Sequence, residues 1–160
     1  MKKIVGTLAL SAIAIQSAIA QPMGESAQSH CAYLEEVVFN CAIGKKHVSV
    51  CNTDGNLQYH FGKIGAAELV FPATPDNNES VTRGGIMLAG GGGDYLRFSN
   101  GAHDYITYSA EGRGVLSEGV VVEKNGKQLA ALKCSSYATN KISTNLPDGI
   151  HDDAKPFFIP

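Results

Sequence analysis

Three dipeptides, Asp54-Gly55, Asn100-Gly101 and Asn125-Gly126, each sit between short segments in which apolar and polar residues alternate. Asn-Gly and Asp-Gly supply the positive φ angles of a two-residue type I′ turn, and that turn joins antiparallel neighbours. A chain punctuated in this way is committed to a meander of hairpins. Val48 and Val50 precede Asp54-Gly55, and Leu57, Tyr59 and Phe61 follow it. Tyr95–Ser99 and His103–Ser109 flank Asn100-Gly101, and Val120–Lys124 and Lys127–Cys134 flank Asn125-Gly126. Val37–Ile43 and His47–Asn52 surround Gly44-Lys45-Lys46. Glu68–Phe71 is halted by Pro72, and Gly85–Ala89 is a further apolar strand. About eight or nine short strands without a long amphipathic helix predict an all-β fold, an antiparallel β-sandwich, with a barrel as the other closure. Ala73–Arg83, with Pro75 and Asn77-Asn78, reads as an exposed loop, and Glu25–Glu36 as a short helix.

Residues 1–20 have the three parts of a secretory signal: Lys2 and Lys3, an apolar stretch from Ile4 to Ile15, and the small-x-small site Ala18-Ile19-Ala20. Gln21 is then the first residue of the exported chain. The apolar run is short for a membrane span, no later segment reaches that length, and no cysteine follows the cleavage site. The expected location is the bacterial periplasm or the medium. The expected organisation is a signal over 1–20, an arm over 21–36, the sandwich over 37–134, and a tail over 135–160 whose Phe157-Phe158-Ile159 docks on the body. Loss of Lys2 and Lys3 leaves 11 basic against 15 acidic residues, a net charge of −4. Nucleic acid is a poor partner for such a chain, since phosphate binding needs clustered Lys and Arg.

Four cysteines, Cys31, Cys41, Cys51 and Cys134, all lie in the exported part. In an oxidising compartment they predict two disulfides. A three-residue loop centred near Lys46 would place Cys41 opposite Cys51, close enough to bond. Cys31 would then pair with Cys134. No CxxC is present, and His30 beside Cys31 is not a metal-ligand spacing, so neither a redox pair nor a metal site is expected.

The search for chemistry yields little else. No GxSxG elbow occurs; Ser99, Ser109 and Ser117 near His103 read as strand and turn serines. Asp94, Asp104, Glu111 and Glu118 could pair for glycoside hydrolysis, but two-residue pairing around Asn100-Gly101 puts Arg97 opposite Asp104 as a cross-strand ion pair. The histidines, His30, His47, His60, His103 and His151, are scattered, and His151-Asp152-Asp153 reads as solvated tail charge. The run Gly90–Gly93 leads into Asp94-Tyr95-Leu96, a strand with an acidic start, so it reads as a flexible connection and not a phosphate loop. No cofactor is expected. Surface recognition remains: His103, Tyr105 and Tyr108 cluster beside the Asn100-Gly101 turn, and such side chains suit interfaces. At least one of the two tyrosines is expected to fill the core.

At these residues a resemblance appears. YLRFSNGAHDYITYSAEGRG followed by GVVVEKNGK resembles the periplasmic inhibitors of animal lysozymes, and is most similar to the inhibitors of invertebrate-type lysozyme. The upstream pattern from Cys41-x-x-Gly44-Lys45 through Val48-Ser49-Val50-Cys51 to Tyr59-x-Phe61-Gly62 extends it, over roughly residues 37–134. The resemblance implies a β-sandwich, with a homodimer allowed, and a loop that enters the lysozyme cleft, where a Ser and a Tyr of a Ser-Gly-x-Tyr motif bond the catalytic carboxylates. Here Asn100 stands at the Ser, Gly101 at the Gly and His103 at the Tyr, while Tyr108 and Gly112-Arg113-Gly114 match a second motif. Asn and His can both donate to a carboxylate. Ser99, Asn100, Gly101, His103, Tyr105, Tyr108 and Arg113 are therefore the expected contacts with a protein partner, a lysozyme or another glycan hydrolase. The alternatives are an immunity protein against a peptidoglycan-degrading toxin, and a secreted hydrolase using Asp104, Glu111 or Glu118.

Overall fold

The computed structural model describes residues 28–160. The signal over 1–20 and the new terminus at Gln21 lie outside the described residues. The strands run in chain order as β1 (Glu36–Ile43), β2 (Lys46–Thr53), β3 (Asn56–Lys63), β4 (Ala66–Phe71), β5 (Val81–Leu88), β6 (Gly91–Asn100), β7 (His103–Gly112), β8 (Val115–Lys124), β9 (Lys127–Lys133), β10 (Thr139–Asn140) and β11 (His151–Asp152). One sheet has the order β10-β1-β2-β3-β4 and the other β11-β5-β6-β7-β8-β9. Every pairing is antiparallel except that of β11 on β5. The two sheets share one core, where Phe39, Val50 and Tyr59 of the first meet Val81, Leu96, Phe98 and Val120 of the second. Burial of each large side chain of this kind stabilises by roughly 1.5–3 kcal/mol. The all-β, disulfide-bonded sandwich read from the turns is the observed architecture.

Strand alternation should leave each sheet one wet face, yet both outer faces are partly covered. On the first sheet, Asn40 and Ser49 are buried because the N-terminal arm lies over them. The His30 amide donates to Ser49 Oγ (3.0 Å), Ser49 Oγ to Asn40 Oδ1 (2.9 Å), and Asn40 Nδ2 to the Gln28 carbonyl (3.2 Å). On the second sheet a smaller apolar cluster of Ile86, Tyr95, Ile106, Tyr108 and Val121 is closed by Phe157 from the C-terminal segment.

The disulfides correct the expected pairing. Cys31 bonds Cys51, and Cys41 bonds Cys134. The β1–β2 connection is the two-residue Gly44-Lys45, so Ile43 pairs with Lys46 and Cys41 with Val48. Cys51 pairs with Val37 beyond a bulge. Cys41 thus points into the shared core, while Cys51 points to the outer face where the arm brings Cys31. The two residues expected to bond lie on opposite faces of the same sheet. The Cys41–Cys134 bond instead ties the first sheet to the end of β9, supported by the Ser135 amide on the Ala42 carbonyl (2.7 Å).

Four further expectations change. The β6–β7 turn is Gly101-Ala102, with Asn100 paired to His103. Only Gly101 has positive φ (59°), the pattern of a type II′ turn with Gly first. Asp54-Gly55 and Asn125-Gly126 do have positive φ at both positions, as read. The run Gly90–Gly93 is not a flexible connection: Gly91–Gly93 belong to β6, and a Cβ on Gly92 would stand 2.5 Å from the Ile86 carbonyl oxygen. The loop expected over 73–83 ends early, since Val81 starts β5 and is buried. No helix forms among the described residues of 25–36; the Ala32 amide bonds the Glu35 carboxylate (2.7 Å) in a turn anchored at Cys31.

Candidate binding surface

Antiparallel order places the connections alternately at two ends of the sandwich. One end carries the turns Asp54-Gly55, Gly101-Ala102 and Asn125-Gly126 together with the 72–80 loop. Hydrogen bonds run through all four. Asn78 Nδ2 donates to the Gly55 carbonyl (2.8 Å), and Asn78 Oδ1 accepts from the Leu57 amide (2.8 Å). The Ser99 amide donates to the Ser80 carbonyl (2.9 Å), and the Asn125 amide to the Ala102 carbonyl (2.8 Å). This explains why Asn78, in a segment that reads as loop, is buried.

At this end Asn100, Gly101 and Ala102 are exposed and His103 is half-buried. The His103 ring stacks on Tyr105 (centroids 6.5 Å apart), and Tyr105 on Tyr59 (5.4 Å). Tyr59 is buried in the core, and burial raises its hydroxyl pKa. A row of rings therefore runs from the core to the turn and fixes the imidazole at the surface. Lys124 pairs with His103 across β7–β8, and Lys127 pairs with Lys124 across the Asn125-Gly126 turn. The site accordingly gains two cations that sequence reasoning passed over. The meander that puts β8 beside β7 was legible in the turns, and it implies this neighbourhood. Asp54, Asp76 and Glu79 lie at the same end on the side of the first sheet.

The seven expected contacts do not form one surface. Asn100, Gly101, His103 and Tyr105 gather at this end. Ser99 is on the opposite face of its strand, where its hydroxyl donates to Asp104 Oδ1 (2.7 Å). Tyr108 is 1 % exposed, beneath the Phe157 ring (5.6 Å between centroids). Arg113 occupies the β7–β8 turn at the other end, a ten-residue strand away, or about 30 Å at roughly 3.3 Å per residue. The two motifs of the resemblance are therefore at opposite ends of the molecule.

Two of the carboxylates that invited a hydrolase, Asp104 and Glu118, are engaged within the fold. Ser109 Oγ donates to Glu118 Oε1 (2.8 Å), and the Ala138 amide to Glu118 Oε2 (2.8 Å). Arg97 does not face Asp104, since the shifted turn puts it opposite Ile106. It still reaches Asp104 diagonally (3.2 Å), and it also binds Glu123 (2.9 Å) and Asp153 (2.6 Å). This ion pair is not an exposed one: Arg97 is 1 % exposed. Burial works against the charge of Asp104, but Ser99, Lys155 and Arg97 outweigh it and hold its pKa below the usual carboxylate value. Asp153, read as solvated tail charge, is part of this buried cluster.

The chain matches no protein-family model, no characterised protein and no solved structure.

Proposed function

We propose that the chain is an exported, periplasmic or secreted, binding protein that inhibits a lysozyme-like peptidoglycan hydrolase through the Asn100–His103 turn. One observation carries the reading: the Tyr59–Tyr105–His103 stack fixes a ring donor beside exposed Asn100, with Lys124 and Lys127 on the adjoining strands. Such a group of donors and cations suits a cleft whose working groups are carboxylates. A fixed ring loses little conformational freedom on binding. Two disulfides, with no helix long and apolar enough to span a membrane among the described residues, fit an oxidising compartment outside the cytoplasm. The contact consists of Asn100, Gly101, His103, Lys124 and Lys127; Tyr108 and Arg113 lie outside it.

The test is titration of the purified protein against invertebrate-type, chicken-type and goose-type lysozymes. One-to-one inhibition of at least one is expected, with His103→Ala weakening it about tenfold or more, as for a truncated interface anchor. Arg113→Ala should leave potency unchanged. Absence of inhibition at micromolar protein, or loss on Arg113→Ala with none on His103→Ala, overturns the reading.

A further inference from the structure

The C-terminal segment from Ile150 to Pro160 is seated along the edge of β5 and across the outer face of the second sheet. His151 and Asp152 add to the free edge of β5 in parallel, against Thr82 and Arg83. The Asp153 amide continues that pairing onto the Arg83 carbonyl (2.6 Å). The segment then crosses the outer face of the second sheet. Asp153 Oδ2 accepts from Arg97 Nε (2.6 Å) and from the Tyr95 hydroxyl (3.1 Å), and that hydroxyl also reaches the Lys155 carbonyl (3.1 Å). Lys155 Nζ sits 3.2 Å from Asp104 Oδ2. Phe157 fills the space between Tyr95 (5.0 Å) and Tyr108 (5.6 Å).

Three features distinguish this from an ordinary packed tail. Arg97 is held by Asp104 and Glu123 of its own sheet, so the donor to Asp153 is anchored within the sheet. The linker from Ser143 to Gly149 is largely exposed and leaves a gap of about 200 Å³ above β5 and β6. Beyond Ile159 the groove continues as an open cleft of about 450 Å³ lined by Leu88, Gly112, Arg113 and Val115.

We infer that this face is a binding groove for an extended peptide bearing a carboxylate and, four residues later, an aromatic ring, and that its partner in trans is the Ile150–Pro160 segment of a second copy of this chain. The segment's seating in cis shows the complementarity. Strand addition at a sheet edge with side chains in pockets is an established mode of peptide capture. Exchange between copies repeats the same contacts and requires only that the exposed 143–149 linker extend. The groove is on a different face from the Asn100–His103 turn and does not depend on that function.

The test uses full-length protein and a fluorescein-labelled synthetic peptide of residues 150–160, read by anisotropy. Wild type is expected to bind weakly, because its own segment competes at high effective concentration. Phe157→Ala, whose own segment has lost its ring, should bind the peptide at least tenfold more tightly. A peptide carrying Asp153→Asn should lose most of that gain. Should Phe157→Ala not fold, full-length Asp153→Asn serves as receptor with the same expectation. No gain in a folded variant overturns the groove. Light scattering of concentrated wild type, with donor- and acceptor-labelled copies mixed, should show dimers that exchange labels over time. A strictly monomeric chain at millimolar concentration overturns the second copy as partner.

Discussion

Arg97 shows how far one residue can be read in advance. The hairpin brings it near Asp104, diagonally and not directly across as expected, but its burial is not legible there, because that depends on residues some fifty positions later. Arg97→Ala would leave Asp104, Asp153 and Glu123 without their shared cation, so an equilibrium urea titration should show a loss of about 3–5 kcal/mol. Arg97→Lys should recover little, since one ammonium cannot present the separate donors that reach three carboxylates. The acid side divides into two steps. Burial, and then the neighbouring His30, lower the His60 pKa, so charging His60 opposes folding. The sign is that stability is full above the ordinary histidine value of about 6.5 and declines as pH falls below it. His60→Gln should flatten the decline between pH 7 and 5 in thermal melts. Asp104, whose folded pKa is depressed, contributes stability above its ordinary value of about 3.9 that is lost below it. A second, steeper fall below about pH 4 is therefore expected, and His60→Gln should leave it in place. Tyr95, its pKa pushed up to about 12 by burial and by Asp153, stays a hydrogen-bond donor throughout this range.

Elements were the most legible scale, and glycine explains both the success and the misses. Asp54-Gly55 and Asn125-Gly126 turn as their composition dictates, with both residues at positive φ. At Asn100-Gly101 the same dipeptide serves differently, because Gly-Ala can make a type II′ turn and Asn100 then completes the ladder with His103. The pattern of Gly91–Gly93 was misleading for a physical reason: four glycines suggest freedom, whereas here the absent Cβ lets neighbouring backbones approach. The two uses separate by mutation. Gly101→Ala, at φ 59° with open space around it, should cost about 1–2 kcal/mol. Gly92→Ala, facing the Ile86 carbonyl at 2.5 Å, should cost more and should loosen β5 from β6, seen as faster amide exchange along β5. The candidate surface was half legible. Asn100 and His103 do lie at the hairpin tip, although as its last ladder pair and not within its turn, but Tyr108 went to the outer face because strand parity, fixed by Leu96 and Phe98 facing inward, leaves it no choice.

For the whole molecule the fold class could be read and the closure could not. The cysteine count predicts two bridges, but their pairing depends on a single residue of loop length at Gly44-Lys45 and on which face each sulfur takes. The bridges differ in span, 20 residues for Cys31–Cys51 and 93 for Cys41–Cys134. The chain-entropy relation gives roughly 3.3 and 4.6 kcal/mol for loops of these sizes. Replacing both cysteines of the longer bridge by serine should therefore lower stability by about 1 kcal/mol more than the same change in the shorter one. Chemical denaturation of the two double variants, each keeping the other bridge, measures the difference.

The distribution of these closures along the chain sets an order of assembly. Cys31 and Cys51 are both present early in synthesis and can join while the rest is still being made. Cys134, the β10 and β11 strands, Asp153 and Phe157 all come after Lys133. Until that last stretch emerges, Cys41 lacks its partner and Arg97 lacks its third carboxylate. A chain lacking everything after Lys133 would miss β10 from the first sheet and β11 from the second, and would leave Cys41 unbonded.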